Sequence, residues 1–505
     1  MYLQIEIHSE DRNFQKILWR DDPMKPVREY RLCAITHGTA PASYLATRVL
    51  KQLVIDEGLD FPKAANSVLH NFYIDDGLFG AESADEAVAL KNVLSELLRK
   101  GKFELHKWFT NSLSVLNFLS QSKSIDNASC RTADSKFIKV LGLRSDPKQD
   151  EFTYNISFCD DFKDENPTIR SILSCVSKIF DPLGWLSSII ITAKILIQEL
   201  WKHQLAWDDP VPQDIKEKWI KYRVDISQVT LTVPRTVLLY SPSGFELYCF
   251  CDASEKAYAA VILVYLKSST ITTTQISVLT SKTRVAPLKT ISIPRLDLCS
   301  AVLLVHLLQT VLKSLTFQID AVRAFIDSTI VLAWLKSEPS RWQIFVANRV
   351  SEIQSILPVQ HWNHISSGQN PADCASRGLP PNELVNFDLW WSGPQWMNSG
   401  DISHLEEISL STDALKEESK KTSCLIETTP IDFPIIYNVS SYVKLKRIIA
   451  WCLCFIMNCK SPNNRINGYL TSSEIKLARN VLVKIVQKQE FLREYHQLKN
   501  SKPIS

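Results

Sequence analysis

The sequence predicts a multidomain protein of mixed class, α+β in part and α/β in part, and three observations support this. The chain has 505 residues, which at about 150 residues per domain corresponds to roughly three domains. Hydrophobic residues make up 45% of the chain and charged residues 22%, a globular balance that excludes a largely disordered protein. Alternating apolar patterns typical of strands and apolar residues at helical spacing both occur along the chain. We therefore expect several hydrophobic cores.

Composition excludes several other classes. Neither G-x-G-x-x-G nor G-x-x-x-x-G-K-[ST] occurs, which disfavours glycine-loop nucleotide binding. The 12 cysteines include no C-x-x-C pair, which disfavours structural zinc and a secreted disulfide framework. The two C-x-C pairs, Cys249/Cys251 and Cys452/Cys454, instead indicate alternate positions on buried strand or helix faces. No signal-peptide pattern opens the chain, and the longest apolar run, Ile448 to Met457, is too short to span a bilayer. We expect an intracellular protein that is not secreted and has no membrane partner.

Composition shifts indicate the domain boundaries. Residues 400 to 430 are rich in Ser, Thr, Glu and Lys, as in a linker, and a weaker shift of this kind covers residues 121 to 135. Met1 leads directly into an alternating strand pattern, and the last helical stretch has no partner after it, so both ends resemble cut ends. The expected segments are a first domain, a helical connection, a strand-rich domain, a linker and a helical end: 1–150, 151–230, 231–398, 399–430 and 431–505.

The first chemical motif is NFYIDDGLFG, residues 71 to 80. Its β-prone flanks predict a hairpin with Asp75 and Asp76 at the tip. Two adjacent carboxylates between apolar strands are costly unless a cation neutralises them, and Mg²⁺ prefers oxygen ligands. An ordinary turn with both side chains in water explains the spacing equally well.

Four aspartates between residues 245 and 380 form the second motif. Asp252 and Asp327 each end a predicted strand, and Asp297 falls in the first turn of a predicted helix that has Pro294 near its start. Asp373 follows His364 in a predicted loop and helix start. Each aspartate alone is explained by a helix cap or a solvated charge. Together they can converge on one edge of a mixed sheet.

These motifs resemble the Pol polyprotein of BEL/Pao-type LTR retrotransposons, and the resemblance covers nearly the entire chain. The matching strings, besides YIDD, are ITHGTAPASYLATRVL, ELHKWFTNS, KVLGLRSD and SILSCVSKIFDPLGWL, at residues 35–50, 104–112, 139–146 and 171–186. The resemblance implies a partial reverse transcriptase palm and thumb, followed by a ribonuclease H-like mixed sheet with flanking helices. Its substrates would be primer–template and RNA–DNA hybrid. Further implied partners are the rest of the Pol polyprotein, and the implied location is the cytoplasm or a virus-like particle.

For the first domain, the resemblance implies two metals held by carboxylates, among them Asp75 and Asp76. The family's third carboxylate comes from a strand that would precede Met1, so we expect the polymerase to be inactive. Lys107 would lie near the pyrophosphate as a proton donor; a surface lysine is the alternative interpretation.

For the strand-rich domain, the resemblance implies a nuclease site of two Mg²⁺ ions held by Asp252, Asp297, Asp327 and Asp373, with Mn²⁺ able to substitute. The string from His364 to Asp373 is similar to the last motif of the ribonuclease H fold, where His364 would assist product release or proton transfer.

One position departs from the family. Relatives carry P-R-L-E-L where this chain has PRLDL at residues 294–298. Aspartate is one methylene shorter than glutamate, about 1.5 Å of reach, and Mg²⁺ demands near-ideal ligand distances. We therefore predict a weakened nuclease that Mn²⁺ partly rescues.

The family region also bears the name of a Pao peptidase. An aspartic peptidase needs D-[ST]-G turns, and none occurs in the two acidic motifs, so we expect no aspartic peptidase. Arg341 and Arg349 lie in an aromatic- and arginine-containing helix that either binds the hybrid or is a solvated amphipathic helix. Residues 468–500 resemble the lead into an integrase whose zinc-binding and catalytic residues are missing.

The competing function for the whole chain is that of a decayed or co-opted copy of such a Pol region, which folds and binds nucleic acid without catalysing a reaction.

Overall fold

A computed structural model describes residues 1–121, 137–156, 166–235, 242–268, 275–315, 317–399, 418–419, 435–461, 465, 467–491 and 494. Residues 1–420 and 421–505 form two compact units. The predicted linker at 399–430 and the weaker shift at 121–135 lie almost entirely outside the described residues.

The first helical group packs around a small apolar core. Its elements are β1 (Lys16–Trp19), β2 (Arg28–Arg31), α1 (Ala42–Glu57), α2 (Pro62–Asn71), β3 (Phe72–Tyr73), β4 (Asp76–Gly77), α3 (Ala84–Lys100) and α4 (Leu113–Gln121). Ala46 and Leu50 of α1 pack with Leu94 and Leu97 of α3. The strand expected at Met1 is wrong: residues 2–4 form a short 3-10 turn, and only Glu6 pairs, with Ala34 in an isolated bridge.

The next segment combines a four-stranded antiparallel sheet with three helices. Its elements are β5 (Ile138–Val140), β6 (Leu143–Asp146), β7 (Glu151–Asn155), α5 (Ile169–Ser177), α6 (Ser187–Lys202), α7 (Gln213–Ser227) and β8 (Thr230–Pro234). The strand order is β5-β6-β7-β8. The segment expected to be helical thus contains three helices but begins and ends in paired strands.

A five-stranded mixed sheet forms the centre of the first unit. Its elements are β9 (Pro242–Ala253), β10 (Ala257–Ser268), β11 (Gln275–Val285), α8 (Ile293–Ser314), β12 (Ala321–Ile326), α9 (Thr329–Leu335), α10 (Ile344–Ile356), β13 (Trp362–His364), α11 (Pro371–Arg377), α12 (Pro381–Leu384), α13 (Asp388–Ser392) and α14 (Trp396–Ser399). The order is β11-β10-β9-β12-β13. Strand β10 is antiparallel to β9 and β11, whereas β12 is parallel to β9 and β13.

Strand β9 is buried on both faces because alternate residues point to opposite sides of the sheet. Cys249 and Cys251 pack in one core with Leu298 of α8. Tyr248 and Phe250 pack in the other core with residues of α6 and α11. The interpretation of the C-x-C pairs as buried alternate positions is therefore confirmed for Cys249 and Cys251, and it is wrong for Cys452, which is exposed.

Helix α8 is, among the described helices, the one long and apolar enough to cross a membrane. Its residues Leu298, Ala301 and Leu304 are buried in the core against the sheet. The helix was predicted over residues 293 to 315 and is confirmed at Ile293–Ser314.

A tight turn between α5 and α6, residues 181–186, connects these helices to β11 of the five-stranded sheet. The Asp181 carboxylate accepts the backbone N–H groups of Trp185 at 2.9 Å and Leu186 at 2.8 Å. The tyrosine hydroxyl of Tyr154 donates to it at 3.3 Å. Gly184 has a φ of +76°, and an added Cβ would lie 2.0 Å from the Ser281 carbonyl oxygen of β11. Only glycine therefore permits this close approach of the turn to the sheet.

The second unit contains α15 (Ile435–Asn438), α16 (Tyr442–Lys460) and α17 (Ser472–Glu490). Leu445 and Ile449 pack against Ala478 and Leu482. Thr471 and Glu474 form a capping box at the start of α17. The predicted helical end of the chain is confirmed for these residues.

Candidate functional site

The elements of the mixed sheet deliver four aspartates to one of its edges. Asp252 is the second-last residue of β9, and Asp327 directly follows the parallel neighbour β12. Carboxyl ends of parallel neighbours meet at the same edge, so both side chains arrive there. Asp297 is the fifth residue of α8, and Asp373 is the third residue of α11. The placement of Asp297 in the first turn was wrong by one residue, because a turn of 3.6 residues that begins at Ile293 ends at Leu296.

Local donors hold these carboxylates. The Ser376 hydroxyl donates to Asp252 Oδ2, and the Ser367 hydroxyl donates to Asp327 Oδ2 at 2.5 Å. The Arg377 guanidinium donates to Asp373 Oδ1 at 2.5 Å. These donors orient three of the four carboxylates, those of Asp252, Asp327 and Asp373.

Burial and mutual repulsion raise two of the aspartate pKa values. Asp252 and Asp297 are 2% and 5% exposed. Burial raises the pKa of Asp252 to about 7, and the charges of Asp327 and Asp373 add to the effect. Burial raises the pKa of Asp297 to about 8, and the charges of Asp327 and Asp252 add to it. The four carboxylates are thus close enough to influence each other's ionisation, which is common at functional sites.

Among the described residues, no group of three or more His, Cys, Asp or Glu side chains is arranged to hold a metal ion. At the edge that the four aspartates share, Ser376, Ser367 and Arg377 hold Asp252, Asp327 and Asp373, respectively. The donor set itself fits a hard divalent cation: it consists of carboxylate oxygens, and a cation would remove the repulsion that raises the pKa values of Asp252 and Asp297.

The string from His364 to Asp373 wraps around the end of β12. His364 ends β13, a strand where the sequence indicated a loop, and its Nε2 lies 3.1 Å from the Asp327 carbonyl oxygen. Asn370 is fully buried; it donates to the Cys251 carbonyl at 3.0 Å and accepts from the Ala372 N–H at 3.1 Å. Asn370 therefore fixes the start of α11 beside the end of β9.

The donors Ser367, Ser376 and Arg377 were not predicted from the sequence. Each serine is an ordinary polar residue there, and its role depends on a partner 40 or 124 residues away. The spacing of Asp373 and Arg377, four residues apart on one helix, is the single local signal that could have indicated one of these contacts.

The first acidic motif forms the predicted hairpin, in which Tyr73 pairs with Asp76. Both Asp75 and Asp76 are exposed. Asp75 borders a cavity of about 450 Å³ whose lining includes Met1, Phe72 and His106. Metal binding by the pair stays a prediction, as does the role of Lys107, which is exposed and has a φ of 58°.

The predicted helix of the arginine-containing segment begins at Ile344. The placement of Arg341 in this helix was wrong, because Arg341 ends a 3-10 turn that precedes it. Arg341 and Arg349 both lie against aromatic rings. Arg341 is exposed, and its guanidinium carbon lies 5.3 Å from the Trp342 ring centroid. The corresponding distance from Arg349 to Phe345 is 3.6 Å. Arg349 is half-buried and donates to the Phe345 carbonyl at 3.0 Å. Hybrid binding by Arg341 and Arg349 stays a prediction.

The raised aspartate pKa values predict how stability depends on pH in the absence of divalent cations. An unfolded aspartate has a pKa of about 3.9, so the folded state binds these protons more tightly. The resulting stabilisation is fully present below about pH 4 and is lost as pH rises through the folded values of about 7 and about 8. Urea unfolding in EDTA between pH 4.5 and 9 measures this loss. The Asp252→Asn/Asp297→Asn double variant should show a flatter dependence, and an unchanged slope would contradict the assignment.

Comparison with known proteins identifies part of this region. Residues 168–328 match the family model of the Pao retrotransposon-like RNaseH-like domain. The match covers less than half of the chain, includes Asp252, Asp297 and Asp327, and ends before His364 and Asp373. It supports a Pao-type retrotransposon Pol region, and the mixed sheet with its helices is consistent with an RNase H-like domain, which implies nucleic-acid binding. No curated protein matches the chain.

Proposed function

We propose that this chain carries a nuclease that cleaves the RNA strand of RNA–DNA hybrids with the help of divalent cations. One observation supports this most strongly. Four aspartates separated by up to 121 positions, from Asp252 to Asp373, share one edge of the sheet, and burial together with neighbouring charges raises the pKa values of Asp252 and Asp297. Repelling buried carboxylates cost stability, so their presence together points to a function that uses negative charge.

Asp252, Asp297, Asp327 and Asp373 would hold two Mg²⁺ ions. When bound, such a pair of ions activates a water for attack on the phosphodiester and stabilises the departing 3′-oxygen. The protein's own contributions are positional: Ser376 orients Asp252, Ser367 orients Asp327, and Asn370 anchors the helix that carries Asp373. His364, in contact with the backbone of Asp327, would assist proton transfer or product release.

The short carboxylate of Asp297 would limit this activity. The Ser328 side chain and the Ala253 backbone N–H both donate to it, which further restricts its reach. We expect the full chain to cleave a labelled RNA–DNA hybrid faster in Mn²⁺ than in Mg²⁺, and Asp297→Glu to raise the Mg²⁺ rate about tenfold, the equivalent of about 1.4 kcal/mol. Equal rates in the two metals would count against this explanation.

The same assay separates the nuclease from the competing function. Cleavage that disappears in Asp252→Asn supports the proposal. If the folded parent does not cleave the hybrid but Asp297→Glu does, the nuclease is disabled at one residue. If neither protein cleaves the hybrid but both still bind it, the result supports a copy that only binds nucleic acid.

We further propose that residues 1–150 derive from a reverse transcriptase palm and thumb that no longer polymerises. The hairpin with Asp75 beside a cavity supports this origin. Among the described residues, no third acidic group joins these two exposed carboxylates in an arrangement that could hold a metal ion. Primer extension by the full chain is expected to be absent in either metal.

A further inference from the structure

Two helices of the mixed-sheet region bring arginines to a shared aromatic ring. Arg295 and Cys299 are four residues apart on α8, and Phe345 and Arg349 are four residues apart on α10, so each pair lies on one helix face. The guanidinium carbons of Arg295 and Arg349 lie 5.1 Å and 3.6 Å from the Phe345 ring centroid. We call Arg295, Phe345 and Arg349 the arginine cluster.

A glutamate that is distant in sequence occupies the arginine cluster. Glu418 Oε1 accepts from Arg295 Nε at 2.6 Å, and its Oε2 accepts from the Arg295 terminal nitrogen at 3.0 Å. The Glu418 residue is 8% exposed. Its carbonyl accepts the Gln343 N–H at 2.9 Å, and Ser419 pairs with Trp342. The carboxylate is therefore held on the cluster by backbone contacts at the start of α10.

We propose that the arginine cluster is a binding site for the phosphodiester backbone of nucleic acid, and that Glu418 occupies this site in the free protein. This inference rests on the proposed function. A bidentate carboxylate and a phosphate present the same pair of oxygens to a guanidinium. Arg295 pairs with the Glu418 carboxylate, whereas Arg349 stacks on the Phe345 ring and donates to the Phe345 carbonyl at 3.0 Å. The cluster therefore carries one positive charge more than Glu418 neutralises, and a backbone with several phosphates can pair with both arginines.

The position of the cluster fits a substrate that binds at the acidic edge, the edge of the sheet that carries Asp252, Asp297, Asp327 and Asp373. Arg295 precedes Asp297 by two residues, an axial distance of about 3 Å at 1.5 Å per residue. The two side chains leave α8 in different directions. A single phosphate therefore cannot serve both places, and a nucleic-acid backbone several nucleotides long would be needed to contact Arg295 with one phosphate and approach the aspartates with another.

Hybrid binding by the full chain in EDTA tests the proposal, because cleavage is then absent. Glu418→Gln frees Arg295 and should tighten binding about tenfold. It should also steepen the dependence of log affinity on log salt by about one, as expected for one additional phosphate contact. Glu352→Gln is the matched control, because it makes the same chemical change on α10 itself. Glu352 pairs with His306 instead of an arginine. It should leave affinity close to that of the parent.

Arg295→Gln added to Glu418→Gln should remove the gain. The proposal is overturned if Glu418→Gln binds no better than the parent, if Glu352→Gln gains as much, or if the double variant keeps the gain. Thermal unfolding of each variant distinguishes a weakly folded protein from a weak binder. If Glu418→Gln binds the hybrid more tightly but no variant cleaves it in Mg²⁺ or Mn²⁺, the proposed phosphate site is supported and the proposed nuclease is rejected. The two proposals can therefore fail independently.

Discussion

Asp252→Asn is expected to lower hybrid cleavage by about 100- to 1000-fold, the usual effect of removing one preorganised electrostatic group. The same change should raise the stability of the metal-free protein at pH 8. Asp252 has a pKa of about 7 because it is buried, so at pH 8 the folded state holds a charge that the unfolded chain holds more easily. Asparagine keeps the size of the side chain and an oxygen that accepts from Ser376. Activity and stability therefore change in opposite directions.

The measurements are cleavage rates in Mn²⁺ and urea unfolding in EDTA at pH 8. Asp320→Asn is the matched control, because Asp320 is exposed, directly precedes β12 and accepts the Phe245 N–H at 2.8 Å. This substitution makes the same chemical change at the other end of β12 and should alter neither quantity much. A loss of both activity and stability in Asp252→Asn would mean that the residue serves the fold, and the functional assignment would fail.

Asp181→Ala is expected to lower the free energy of unfolding of the mixed-sheet region by about 2 to 4 kcal/mol. The variant leaves the N–H groups of Trp185 and Leu186 without their acceptor in a part of the chain where both residues are buried. Burial raises the pKa of the Asp181 carboxyl, and removing that burial cost offsets part of the loss. The net sign is destabilising because an unpaired buried donor keeps its full desolvation cost.

Urea unfolding followed by tryptophan fluorescence measures this effect, since Trp185 lies in the affected turn. Asp181→Asn keeps one accepting oxygen and should cost clearly less than Asp181→Ala. Asp208→Ala removes an exposed aspartate that pairs with Arg170 and should change stability little. Equal losses in Asp181→Asn and Asp181→Ala would show that the charge, and not the hydrogen bonds to the turn, stabilises this connection.

The strands that carry Asp252 and Asp327 were predictable because their signals are local. Each strand is a short run of apolar residues that ends in an acidic residue, and burial on both faces produces such a run. The start of α8 was also readable from Pro294. Asp297 was nevertheless placed in the first turn, although it is the fifth residue of the helix and a turn contains 3.6 residues.

The contacts that orient the acids could not be predicted in this way. Ser376 reaches Asp252 across 124 residues, and Glu418 reaches Arg295 across 123 residues. No periodicity or spacing connects residues this far apart, since such pairs meet only through the register of the sheet and the packing of helices on it. His364 was expected in a loop because three residues of strand are too few to produce an alternating pattern.

The parallel pairing of β9 with β12 also determines when the acidic edge forms. Glu246 lies opposite Ala321, and the chain between them contains β10, β11 and α8. Closing such a long loop is entropically unfavourable until many other contacts exist, and non-local parallel pairing is slow compared with hairpin or helix formation. The β9–β10 hairpin and α8 can therefore form early without bringing Asp252 near Asp327. The appearance of a complete acidic edge after refolding is limited by the pairing of these two central strands.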